Sequence, residues 1–114
     1  MIKHILLSII LFSLGQVAIW FQTNGQFIWP WCKEHPHILA LIGYPISYLF
    51  ISATYHVVTG FDGLLWPGRL IGFGTGIILF SFLTFAFFGE GLSTKTITSL
   101  ILALGLVLIQ IFWK

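Results

Sequence analysis

Four stretches of about twenty residues each, almost free of charge, leave this chain one kind of solvent in which to fold. They cover residues 5–21, 38–58, 65–88 and 94–113, and no Asp or Glu falls inside any of them. A helix rising 1.5 Å per residue needs about 20 apolar residues to cross the roughly 30 Å hydrocarbon core of a bilayer. Charged residues make up only 7% of the chain, against roughly a quarter in a soluble domain. That is too few to build a water-facing surface, so the apolar runs must face lipid or one another. They are too long for barrel strands and lack apolar/polar alternation. Helices satisfy their own backbone groups, as hydrocarbon requires. The predicted fold class is all-α: a polytopic membrane protein with a single domain, 1–114, built as a bundle of four transmembrane helices. The first run follows Lys3 and His4 and has the look of a secretion signal. It is read as a retained span, because no small-x-small cleavage pattern follows it.

The connections suit this reading. The first, residues 22–36, is the longest and most polar, and its Trp29 and Trp31 suit a membrane–water interface. The second, residues 59–68, contains Gly60, Asp62, Gly63 and Pro67. Pro67 fits a first helical turn, where its missing N–H is not needed. The third is only residues 89–93, with Ser93 placed as an N-cap. The third and fourth helices are therefore expected to form an antiparallel hairpin. Orientation is weakly specified: Lys3, Arg69 and Lys114 fall on one side, Lys33 and Lys95 on the other.

The few charges are scattered, so no nucleic-acid footprint exists. The single cysteine, Cys32, excludes an internal disulfide and a Cys-rich metal site. His35 and His37 flank Pro36 without an acidic or Cys companion. No metal site, no cofactor and no catalytic set is predicted. There is no Ser/His/Asp ordering or phosphate loop, and an intramembrane enzyme would need polar catalysts within its spans. The expectation is not an enzyme.

Between residues 72 and 110 three local features stand in order. Gly74-Thr75-Gly76 lies on the third helix; Phe87-Phe88-Gly89-Glu90 and Leu92 form the hairpin; Ala103, Gly105 and Val107-Leu108-Ile109-Gln110 lie on the fourth helix. Together they resemble the C-terminal half of the small multidrug resistance family, within the drug/metabolite transporter superfamily. Trp29-Pro30 resembles a Trp-Pro that opens the second helix region there. The resemblance covers about half the chain. It implies a small transporter of the bacterial cytoplasmic (inner) membrane, working as a dimer. This chain departs from that pattern where the family keeps a proton-coupling carboxylate in its first helix. The matching position falls at Phe12 or Ser13, neither of which binds a proton at physiological pH.

Within the spans the polar groups are few. Gln16 is the deepest in the first; its amide hydrogen-bonds but does not titrate. On the second, Tyr44, Tyr48, Ser52 and Tyr55 are spaced by four, four and three, and so share a helical face. That face is either an interhelical hydrogen-bonding seam or the wall of a substrate path. His56, near the helix end, is either an interfacial hydrogen-bonder or a ligand to a metal or pigment. Gly72, Gly74, Gly76, Gly89 and Gly105 are the expected helix-packing and hairpin positions. Glu90 is expected to face interfacial water. Arg69 either pairs with Asp62 or meets an anionic headgroup or substrate. Two functions follow as expectations. One is a transporter-type protein, dimeric or oligomeric, that moves or binds a small or lipid-like substrate in the bilayer. The other is a non-catalytic subunit packed into a larger membrane complex.

Overall fold

A computed structural model describes residues 2–113. The described residues form six α-helices and one 3₁₀ turn: α1 (Ile2–Asn24), the turn Gly25–Phe27, α2 (Pro30–Glu34), α3 (Pro36–Leu41), α4 (Gly43–Gly60), α5 (Trp66–Phe88) and α6 (Thr94–Phe112). Four helical stretches are long and apolar enough to cross a bilayer: Ile2–Phe27, Pro36–Gly60, Trp66–Phe88 and Thr94–Phe112. The chain is an all-α, multi-pass membrane protein.

The first connection is the main departure from expectation. Instead of a loop over residues 22–36, the chain stays helical almost throughout. α1 continues through its polar end because the side chains there hydrogen-bond the preceding turn. Thr23 Oγ1 donates to the Ile19 carbonyl at 2.8 Å, and Asn24 Nδ2 donates to that of Trp20 at 3.1 Å. Pro30 and Pro36 then each start a short helix, with φ already set for the first turn. Trp29, ahead of Pro30, is extended, as a residue before proline prefers. The second span is broken rather than continuous: α3 ends at Leu41 and α4 begins at Gly43. Pro45 explains the break, since it cannot donate to the Leu41 carbonyl and its ring crowds that oxygen. Gln22 on α1 braces the joint, donating through Nε2 to the Leu39 carbonyl at 2.8 Å.

The hairpin between α5 and α6 takes the expected form. Gly89 caps α5 in the left-handed region at φ 67°, its N–H bonding the Phe85 carbonyl. Ser93 Oγ accepts the Thr96 N–H at 3.2 Å and starts α6. Glu90 is exposed between them.

Packing is organised around α1, which lies against both α4 and α5, while α6 lies against α5. The core is small: Phe12, Ala53, Val57 and Ile71 cluster where α1, α4 and α5 meet. Most other large apolar side chains face outward, where lipid replaces a protein core.

Glycine notches make the seams. Gly68, Gly72 and Gly76 recur every fourth residue and so share one face of α5. On that face Val57 of α4 seats at Gly68, the Phe12 ring at Gly72, and the Gln16 amide at Gly76. Gly74 points elsewhere, against Val107 and the Ala103 carbonyl of α6. The Phe50 ring of α4 in turn fills the space at Gly15 of α1. The Gly-x-Gly motif therefore serves two different neighbours. Two expected packing positions do not pack: a Cβ at Gly89 or at Gly105 would meet nothing within 4 Å. Gly89 serves the turn, and Gly105 faces out of the chain.

The two glycines of the motif differ in what yields. A Cβ at Gly76 meets the far end of a flexible Gln16 side chain at 2.8 Å; one at Gly74 meets the Ala103 backbone carbonyl at 2.9 Å. We predict that Gly74→Ala costs about 1–3 kcal/mol, the range for overpacking a close contact, and Gly76→Ala less. Reversible unfolding in mixed micelles measures both. Equal losses would refute this assignment of seams.

Candidate functional site

α4 and α5 touch near their connecting turn, at Val57 and Gly68. Above that point a groove of about 630 Å³ opens between them, floored by α1. Its volume lies in the range of small-molecule sites, roughly 300–1,000 Å³. The glycine face of α5 makes it possible, since three side chains that would fill the trough are missing. Phe12, Gln16 and Trp20 form the floor; Phe50 and Thr54 line it from α4, and Phe73, Ile77 and Phe80 from α5. Phe73 and Phe80 are each more than half exposed, so the lip is open. Arg69 lies at the end nearest the α4–α5 turn, and Thr23 and Asn24 lie toward the other.

Most polar groups in the groove are already engaged. Thr54 Oγ1 donates to the Phe50 carbonyl at 2.8 Å, and Thr23 and Asn24 bond back into α1. Two are not. Gln16 Nε2 makes one long bond, 3.4 Å, to the Gly72 carbonyl, while its Oε1 takes no partner among the described residues and is not sealed from the groove. Arg69 is exposed, is the one charged residue lining the groove, and has no carboxylate side chain within ion-pair distance among the described residues. The expected pairing with Asp62 is absent; Asp62 instead holds a left-handed turn position at φ 57°.

Of the predicted substrate-path residues only Gln16 lines the groove. Tyr44, Tyr48 and Tyr55 do share a face of α4, but it is the outer one: they are 83%, 65% and 63% exposed. Ser52 is half-buried and also outside the groove. The buried positions of α4 are instead Ile46, Ala53 and Val57, the last two packed with Phe12 of α1 and Ile71 of α5. His56 pairs with His4 across α1 and α4, Nδ1 to Nδ1 at 3.0 Å, with the rings stacked at 5.2 Å. One ring must donate and the other accept, so the pair ties the start of α1 to the end of α4. No group of three or more His, Cys, Asp or Glu side chains gathers among the described residues.

Sequence reasoning missed a buried polar link. Trp20 Nε1 donates to Thr84 Oγ1 at 3.2 Å, both groups buried, joining α1 to the far end of α5. The signal was available: an indole N–H within an apolar span requires an acceptor. Around it the hairpin residues Phe87 and Phe88 pack on Trp20, with ring centroids 5.4 and 5.8 Å away, and Phe21 meets Phe87 edge-on at 5.3 Å. The Phe-Phe of the hairpin motif is thus an aromatic clamp on α1.

No protein-family model, curated protein or solved structure matches this chain.

Thr84→Val keeps the shape and removes the acceptor. The expected loss is about 0.6–1.7 kcal/mol, the span measured for hydrogen bonds between membrane helices. Trp20 emission should shift, because its N–H loses its partner. An unchanged stability and spectrum would show that the bond contributes nothing.

Proposed function

We propose that this protein holds a small or lipid-like substrate in the groove between α4 and α5, and that it works as a dimer or oligomer of drug/metabolite transporter type. The observation that carries the proposal is the groove itself, a site-sized opening among apolar walls with two polar residues that keep hydrogen-bonding capacity, Gln16 and Arg69. The resemblance of Gly74-Thr75-Gly76 and Phe87-Phe88-Gly89-Glu90 to the small multidrug resistance family supports it. The same resemblance places the proposed activity in a bacterial inner membrane. The mechanism departs from that family, because no carboxylate lies in any span. Coupling to protons through a buried acid is not available, and Gln16 acts only as a donor and acceptor of hydrogen bonds. The proposal involves no catalytic step.

Self-association has its own support in Tyr48. It is the middle residue of the span Pro36–Gly60, about 18 Å of helix rise from either end. Its side chain is 65% exposed to what would be hydrocarbon. A hydroxyl left there without a partner is costly. A second copy of the chain answers it, because hydroxyls of the same Tyr44–Tyr48–Tyr55 stripe both donate and accept. The same observation favours the second reading, an accessory subunit of a larger membrane complex, if the polar partner belongs to another protein.

Four outcomes test these readings. Thr54→Trp should fill the groove and lower the amount of lipid co-purified with the protein while leaving helicity unchanged; undiminished lipid would sink the groove as the site. Tyr48→Phe should convert a dimer, seen by light scattering in mild detergent, toward monomer. Co-purification in fixed ratio with another membrane protein, lost in Tyr48→Phe, would establish the accessory role instead. In proteoliposomes a pH gradient should not drive uptake of a quaternary ammonium ion. Robust uptake abolished by Gln16→Ala would overturn the mechanism.

A further inference from the structure

We infer that the groove is built for an anionic glycerophospholipid, with its phosphate on Arg69, an ester carbonyl on the Gln16 amide and one acyl chain along Phe73, Ile77 and Phe80. The inference rests on the groove being the binding site and names what it takes.

From Arg69 to Phe80, short of Thr23 and Asn24 at the far end, the chemistry of the groove changes in the order of such a lipid. Arg69 is in the first turn of α5, three residues beyond the exposed Trp66 that begins the helix. A Trp at a span end marks the interface, so Arg69 lies at headgroup depth. Arg69 lines the groove with no carboxylate side chain to neutralise it among the described residues. Guanidinium groups favour phosphate through paired, parallel N–H donors. Gln16 sits opposite Gly72 and Gly76, three and seven residues further along α5. This is roughly 5–10 Å deeper by helix rise. Only one Nε2 hydrogen bond is formed there, and it is long. The second N–H is free for a carbonyl acceptor at the depth where a glycerolipid carries its esters. Beyond Gln16 the α5 wall is apolar to Phe80. From Arg69 to Phe80 the rise is roughly 16 Å, about half of the roughly 30 Å hydrocarbon core. The wall therefore matches the tail of a lipid from one leaflet. A free phosphate would use Arg69 alone and leave the apolar wall and Gln16 idle.

The experiment uses the full chain in nanodiscs of phosphatidylcholine and phosphatidylglycerol in equal parts, followed by mild extraction and mass analysis of the lipid that stays bound. The wild type should retain phosphatidylglycerol about fivefold over phosphatidylcholine, the preference expected from one basic group near an anionic headgroup. Arg69→Gln should still retain lipid, but in the proportions of the surrounding bilayer. Gln16→Leu should lower total retention, and Lys95→Gln should change nothing. Adding inorganic phosphate should not displace the lipid. Arg69 is exposed and unpaired with any carboxylate side chain among the described residues, so its substitution should leave helicity intact, checked by circular dichroism. Lipid retained by the wild type without headgroup preference, or a preference that survives Arg69→Gln, would overturn the inference while leaving the groove as a lipid site. Absence of any retained lipid would overturn the groove itself, and displacement by phosphate would show that Arg69 binds a free anion.

Discussion

The absence of side chains at four glycines of α5 sets the architecture of this protein. In a bilayer, helices gain little from hiding apolar surface, because lipid is as apolar as leucine. They associate where backbones approach closely and contacts are many. Gly68, Gly72 and Gly76 make one flat face of α5, and Gly74 makes a notch on another. Through them α5 accepts Val57 of α4, Phe12 and Gln16 of α1, and Val107 of α6. α5 thus meets three helices while α1 holds α4 on its other flank by seating Phe50 at Gly15. The same glycine face leaves the trough that becomes the groove, so packing and the candidate site are two uses of one missing set of side chains.

A second constraint is the placement of the few polar groups. Thr54, Thr75 and Ser81 bond the helical carbonyl four residues earlier, which satisfies them without a partner helix. Trp20 with Thr84, and His4 with His56, spend their bonds between helices at opposite ends of α1. These links are directional where the glycine contacts are not. They hold α1 in register against α5 at one end and α4 at the other. Among the polar groups without such a bond are the outward Tyr48 hydroxyl, the Gln16 carbonyl oxygen and the Arg69 side chain. Tyr48 faces away from the chain, whereas Gln16 and Arg69 line the groove.

The four spans and the α5–α6 hairpin were legible in the amino-acid order, because membrane-crossing length and charge content are one-dimensional properties. Gly89 and Ser93 mark the hairpin by local backbone chemistry alone. The helical course of residues 22–36 and the break after Leu41 also have local causes, in Pro30, Pro36 and Pro45, but polarity outweighed them in the sequence reading. Which face of a span meets a neighbour is another matter. Tyr44, Tyr48 and Tyr55 do share a face, as their spacing requires, yet that face points outward. In lipid an apolar stripe and a polar one give no reliable sign of inside and outside. Gly74 and Gly76, two residues apart, necessarily point to different sides of a helix, but only the assembled chain assigns α6 to one and Gln16 to the other. The sequence by itself determined that this is an all-helical protein of the bilayer with four spans and no acid within them. The tertiary structure alone decided that Gln16 and Arg69 share a groove and that His56 pairs with His4. The reason is that such meetings depend on the rotation and crossing of separate helices, set by contacts between residues as far apart in the chain as Phe12 and Gly72.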